Sequence, residues 1–135
     1  MPMMIFPARF EFLDEIREFV SGVAKQGGFS EKDVYAIQLA ADEAASNIIE
    51  HAYEDVPDGQ ITITCEMKGA SLVITLRDEG KAFDPSRVKQ PNLKADLSER
   101  KIGGLGIYLM RKLMDEVRYQ SSPGAGNTLT MIKRR

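Results

Sequence analysis

The chain has 135 residues, 43% of them apolar and 28% charged, with a net charge of -2, which fits one domain around one hydrophobic core. That balance speaks against a general nucleic-acid or anionic-membrane binder, because neither polyanion attracts it overall, and no apolar run approaches the ~20 residues that cross a bilayer. One cysteine, Cys65, excludes an internal disulfide, one histidine, His51, leaves no Cys/His zinc set, and Met1 to Phe6 lacks the basic start and small-residue cleavage site of a signal peptide; the reading is of a cytoplasmic protein.

Met3 to Phe6 is a short apolar run closed by Pro7 and predicts an opening strand. Phe10, Leu13, Ile16, Phe19, Val20 and Val23 recur at helical spacing between acidic residues, and Gly27-Gly28 stops that helix. Ser30 is an N-cap signal, with Asp33 three residues on, and a second helix is expected from about Glu31 to about His51. After the Asp58-Gly59 turn, Ile61, Ile63, Cys65 and Met67 alternate with polar residues. Beyond Lys68-Gly69-Ala70, Leu72, Ile74 and Leu76 do the same, so the two runs predict a hairpin. From Glu79 to Lys101 no period holds, and a loop of that length inside a compact domain tends to be a lid or a binding loop. Gly103-Gly104-Leu105-Gly106 then opens a helix carrying Ile107, Leu109, Met110, Leu113 and Met114. Val117 and Tyr119 suggest a strand, residues 123–127 a turn, and Leu129 and Met131 the last strand. Helices and antiparallel hairpins without a β-α-β rhythm predict an α+β two-layer sandwich: a mixed, mainly antiparallel sheet with helices on one face.

Four places can carry chemistry. Glu43, Asn47 and His51 are spaced i, i+4, i+8 on the second helix, with Val34, Ile37, Ala41, Ala44 and Ile48 mostly on another face. A carboxylate and an amide one turn apart can serve as a base and as a ligand for Mg²⁺, which prefers oxygen donors; taken alone, the stripe reads as a solvated face. Asp78 ends an apolar strand and Gly80 follows closely, which fixes a carboxylate beside backbone that a ligand can approach; alone, it reads as an ordinary turn. Gly103-Gly104-Leu105-Gly106 leaves amides free at a helix start, where phosphate is favoured, and it matches neither a dinucleotide-binding fingerprint nor a P-loop; alone, it reads equally as a plain loop. Gly126-Asn127-Thr128 alone is a hairpin turn.

Order and spacing make the four places specific as a set. Glu43-x-x-x-Asn47, then Asp78-x-Gly80, then a long segment ending in Gly104-x-Gly106, then Gly126-Asn127-Thr128, resembles the N box and the three glycine boxes of the GHKL ATPases, over nearly the whole chain. The phrases Asn47-Ile48-Ile49-Glu50-His51-Ala52-Tyr53, Ala82-Phe83-Asp84-Pro85 and Leu113-Met114-Asp115-Glu116-Val117 look like its anti-sigma-factor serine/threonine kinase branch, the RsbW and SpoIIAB kinases. The resemblance implies the GHKL ATP-binding fold in a single domain over residues 1–135, with an ATP lid at about 84–103. It implies Glu43 as general base, Asn47 as Mg²⁺ ligand, and Asp78 as reader of the adenine amino group, with Gly80 beside the base. It further implies Gly104, Leu105 and Gly106 as lid hinge and phosphate-binding backbone, and Thr128 in support of the adenine end. Arg100 and Lys101 stand where they can neutralise phosphate charge. Ala82 replaces the usual second glycine of the first glycine box. The function so implied is phosphorylation of a small STAS-domain anti-anti-sigma protein, in competition with a sigma factor, by a homodimer that binds no nucleic acid or membrane directly. The alternative is a nucleotide-gated module that sequesters a partner without kinase activity. Glu43 weighs against it, since pure binding has no use for that carboxylate.

Overall fold

A computed structural model describes residues 2–53, 58–80, 109–122 and 126–135. Strand β1 (Met3–Pro7) leads through a 3₁₀ turn (Phe10–Phe12) into helix α1 (Leu13–Gln26). Helix α2 (Glu31–Asn47) follows and runs on without a break as a π-helical turn, Ile48–Ala52. The remaining strands are β2 (Gln60–Lys68), β3 (Ser71–Asp78), β4 (Glu116–Ser122) and β5 (Gly126–Arg134), and residues 109–113 are helical. The sheet order is β1-β2-β3-β5-β4 and every pairing is antiparallel, so the expected mixed, mainly antiparallel sheet is antiparallel throughout the described residues. Residues 81–108, which include the expected lid at about 84–103, lie outside them.

Local chemistry accounts for these bounds. The Ser30 hydroxyl accepts a hydrogen bond from the Asp33 amide at 3.2 Å, giving α2 the N-cap its sequence announces. Gly69 turns the β2–β3 hairpin at φ +60°, the conformation a two-residue primed turn asks of its first residue, and Lys68 pairs with Ser71 across it. Strand alternation then sends one set of side chains toward the helices. Ile63 lies opposite Leu76 and Leu76 opposite Leu129, while Cys65, Ile74 and Met131 form the neighbouring row. These residues are buried, and Ile16 and Val20 of α1 with Val34, Ile37, Ala41 and Ala44 of α2 complete one core.

Helix α2 is more deeply embedded than its polar stripe suggests. Ala40, Ala45, Ser46 and Asn47 are buried along with the apolar set. The solvated face read from Glu43, Asn47 and His51 is therefore corrected at Asn47, which is 3% exposed. The regular i, i+4, i+8 progression also stops there, because His51 sits in the wider π turn, which closes from the Tyr53 amide back to the Ile48 carbonyl at 3.1 Å.

Candidate functional site

The site is assembled where the end of α2 meets the ends of β3 and β5. Asp78, the last residue of β3, pairs in register with Asn127, and both are almost wholly buried. The Asp78 Oδ1 accepts two hydrogen bonds, from the Gly80 amide at 2.9 Å and from Asn127 Nδ2 at 2.8 Å. That leaves Oδ2 as the acceptor for an amino group brought to it. Burial raises the Asp78 pKa above the ordinary carboxylate value, and the bonds from Asn127 and the Gly80 amide oppose the rise.

Asn127 holds this arrangement from the other side. Its Nδ2 also donates to the Gly80 carbonyl at 3.1 Å, and its Oδ1 accepts from the Ser121 hydroxyl at 2.7 Å, which fixes which way the amide faces. Gly80 is confined in turn: a Cβ there would stand 2.3 Å from the Ala52 carbonyl oxygen, so only glycine lets this backbone lie against the π turn.

Asn47 and Asp78 line one pocket, whose other walls are apolar and include Ile48, Ala52, Met110 and Leu129. The Asn47 amide is buried with neither its oxygen nor its nitrogen bonded to any group among the described residues. A buried amide is costly in that condition, so its oxygen suits a hard cation brought in with a ligand. Among the described residues no three His, Cys, Asp or Glu side chains cluster to cage a metal. A single amide oxygen is consistent with Mg²⁺, which keeps waters and shares substrate phosphates.

Glu43 lies one α-helical turn before Asn47 and is partly buried. Burial raises its pKa, and the neighbouring negative charges of Asp42 and Glu50 raise it further. Asp42 is itself paired with Arg17 of α1 at 2.6 Å, so a cation stands one residue from the carboxylate. A carboxylate biased toward holding a proton is suited to accept one from a hydroxyl.

The structure thus brings together Asn47, Asp78 and Gly80, with Glu43 alongside. Ala82, Arg100, Lys101, Gly104, Leu105 and Gly106 lie outside the described residues. Thr128 does not join the group. Strand alternation turns it away from the core face that Asn127, Leu129 and Met131 share, and the hydrogen bond to Asp78 comes from Asn127. That alternation was present in the sequence and points to Asn127 once β5 is seen to start at Gly126. A second residue absent from the expected set is Tyr53. Its hydroxyl donates to the Gln60 carbonyl at 2.7 Å and accepts from the Glu79 amide at 2.8 Å. Burial is the main reason its pKa is raised, which keeps the phenol protonated and able to donate.

A buried strand-end carboxylate, an amide on the facing helix that is unbonded among the described residues and an apolar pocket between them suit an α+β domain that takes a nucleotide. The chain belongs to the histidine kinase-like ATPase domain family, whose model matches residues 6–133; ATP is the nucleotide such a domain uses. It is 36% identical over 137 residues to the serine-protein kinase RsbW of Bacillus velezensis, covering 96% of this chain and 82% of that protein, with the same figures for Bacillus subtilis. To serine-protein kinase RsbW of Listeria innocua it is 31% identical over 128 residues, covering 92% and 82%. Among solved structures, the RsbU and RsbW domains of a Mycobacterium tuberculosis protein share its fold with a TM-score of 0.69 at 17% identity. That match covers 99% of this chain and 32% of the larger one.

Proposed function

We propose that this chain is an ATP-dependent serine/threonine protein kinase that transfers the γ-phosphoryl group of Mg·ATP to a hydroxyl on a partner protein. The observation that carries the reading is the pocket shared by Asn47 and Asp78, with Glu43 one turn from the amide. The adenine amino group donates to Asp78 Oδ2 while Gly80 lets backbone come close. The Asn47 oxygen would hold the Mg²⁺, which would supply neutralisation of phosphate charge. Glu43 accepts the hydroxyl proton as the new O–P bond forms and the bond to the β-phosphate breaks, releasing ADP. In this reading residues 84–103 form the lid, with Gly104, Leu105 and Gly106 meeting phosphate through backbone amides.

The relatives named serine-protein kinase support a protein substrate. We assign as that substrate a small STAS-domain anti-anti-sigma protein that competes with a sigma factor for this chain, in the cytoplasm. Among the described residues no helix is long and apolar enough to cross a membrane. A homodimer is supported by β1, which pairs only with β2 among the described strands and exposes Met3, Met4 and Ile5. An uncharged apolar edge of that kind is a ready pairing surface.

The test is a Mg·ATP titration of the wild type, Asp78→Asn and Glu43→Ala, followed by label transfer from γ-labelled ATP to a STAS-domain partner. The expected result is tight binding by wild type and Glu43→Ala, weak binding by Asp78→Asn, and transfer by the wild type alone. Binding without transfer by any chain would replace the kinase with a nucleotide-gated binding module.

A further inference from the structure

Beyond Asp78 the strand ladder is finished. The β2–β3 pairing ends at Thr62 with Arg77, and Asp78 with Asn127 is the last β3–β5 pair. The next amide, that of Glu79, therefore lacks a strand partner, although it sits between the carboxylate and the glycine whose amide binds it. The Tyr53 phenol takes the strand's place. Its oxygen accepts from the Glu79 amide at 2.8 Å and donates to the Gln60 carbonyl at 2.7 Å, where β2 begins. The ring is pressed against Gly59, where a Cβ would stand 2.5 Å from ring carbons. Tyr53 is also the residue whose backbone amide closes the π turn on Ile48, next to Asn47. One side chain thus joins the end of the α2 helix, the start of β2 and the exit of β3.

We infer that Tyr53 is a positioning residue for nucleotide-base recognition, holding the Glu79–Gly80 backbone so that Asp78 keeps Oδ1 occupied and Oδ2 turned to the base. This rests on the reading of Asp78 as acceptor of an adenine amino group. Without the phenol oxygen, the Glu79 amide loses its acceptor and the loop that pins Asp78 Oδ1 is released. The loss falls on the contact that distinguishes a 6-amino from a 6-oxo purine, while phosphate binding and the apolar walls are untouched.

The experiment measures the affinity of wild type, Tyr53→Phe and Asp78→Asn for ATP and for inosine triphosphate, which carries oxygen in place of the amino group. Phenylalanine keeps the ring on Gly59. Tyr53→Phe is expected to bind ATP about tenfold more weakly, the effect of roughly one lost hydrogen bond, with inosine triphosphate affinity unchanged and thus a reduced preference. Asp78→Asn is expected to lose the preference as well. Equal weakening toward both nucleotides would show a merely structural tyrosine and overturn the assignment. An unchanged preference in Tyr53→Phe alongside its loss in Asp78→Asn overturns it while sparing the reading of Asp78. Retention of the preference in both variants overturns the two together. As a measurement independent of any substitution, the Glu79 amide of the unaltered chain should exchange with solvent more slowly once Mg·ATP is bound, and free exchange in the complex would likewise overturn the assignment.

Discussion

Asp78 stands in surroundings that disfavour its charge, and that cost falls on the unliganded protein. Its raised pKa means that the folded chain holds this proton more tightly than the unfolded chain does. Its contribution to stability is therefore fully present below the unfolded value and lost as pH rises through the folded one. Asparagine keeps an Oδ1 to accept from Gly80 and Asn127 and carries no charge. Asp78→Asn should match the wild type near pH ~4 and exceed it in stability near pH ~7, as read by urea midpoints across that range, even while it binds ATP poorly. A wild type that gains on the variant as pH rises would contradict this. Glu43 has the same sign for a different use. Burial and the charges of Asp42 and Glu50 raise its pKa, so phosphotransfer should fail on the acid side at a pH above the ordinary glutamate range. Asp42→Asn removes one of those charges and should move the acid limb of the pH–rate profile downward, whereas Glu43→Gln should abolish transfer at every pH. An acid limb that stays put in Asp42→Asn would mean that another group sets it.

At the scale of elements, two helix ends have opposite duties. The start of α2 is a stability feature: Ser30 satisfies the Asp33 amide in the first turn. Ser30→Ala should cost about 1 kcal/mol in urea unfolding and leave nucleotide affinity unaltered. The end of α2 belongs to the site. The π turn Ile48–Ala52 carries the Ala52 carbonyl against Gly80, where a methyl group would stand 2.3 Å away. Gly80→Ala must push the β3 exit and the helix end apart. It should cost about 1–3 kcal/mol of stability and, unlike Ser30→Ala, also weaken Mg·ATP binding, which isothermal titration of both variants would separate.

At the scale of the whole molecule, the sheet and the helix pair share one core, and the site is its polar margin. Ile74, fully buried on the central strand between Cys65 and Met131, lies well inside that core. Ile74→Ala should lose about 2–5 kcal/mol of stability. Saturating Mg·ATP at about a hundred times its dissociation constant restores ~2.7 kcal/mol, because only the folded chain offers the pocket. Thermal unfolding with and without nucleotide should show that rescue in Ile74→Ala but not in Ile74→Ala combined with Asp78→Asn.

The sequence by itself determined a good deal of this protein. Alternation in Ile61 to Met67 and Leu72 to Leu76 set both strands of the central hairpin, and Ser30 with its following apolar period set α2, because these are local preferences that neighbouring residues enforce. The order of Glu43-x-x-x-Asn47, Asp78-x-Gly80, Gly104-x-Gly106 and Gly126-Asn127-Thr128 was likewise legible, and its resemblance to the GHKL boxes pointed to the family. What only the tertiary structure decided was which polar groups lose water together. Asn47 belongs to a polar stripe by period alone, and its burial is what leaves its amide without a partner among the described residues. Asn127, rather than Thr128, reaches Asp78 because register across two strands, not distance along the chain, places a side chain on the core face. Tyr53 lies just past the helix expected to end at about His51, yet it bonds to residues 7 and 26 positions away. Hydrogen bonds between distant segments leave no periodic trace in a sequence, and they exist only once the core has drawn those segments together.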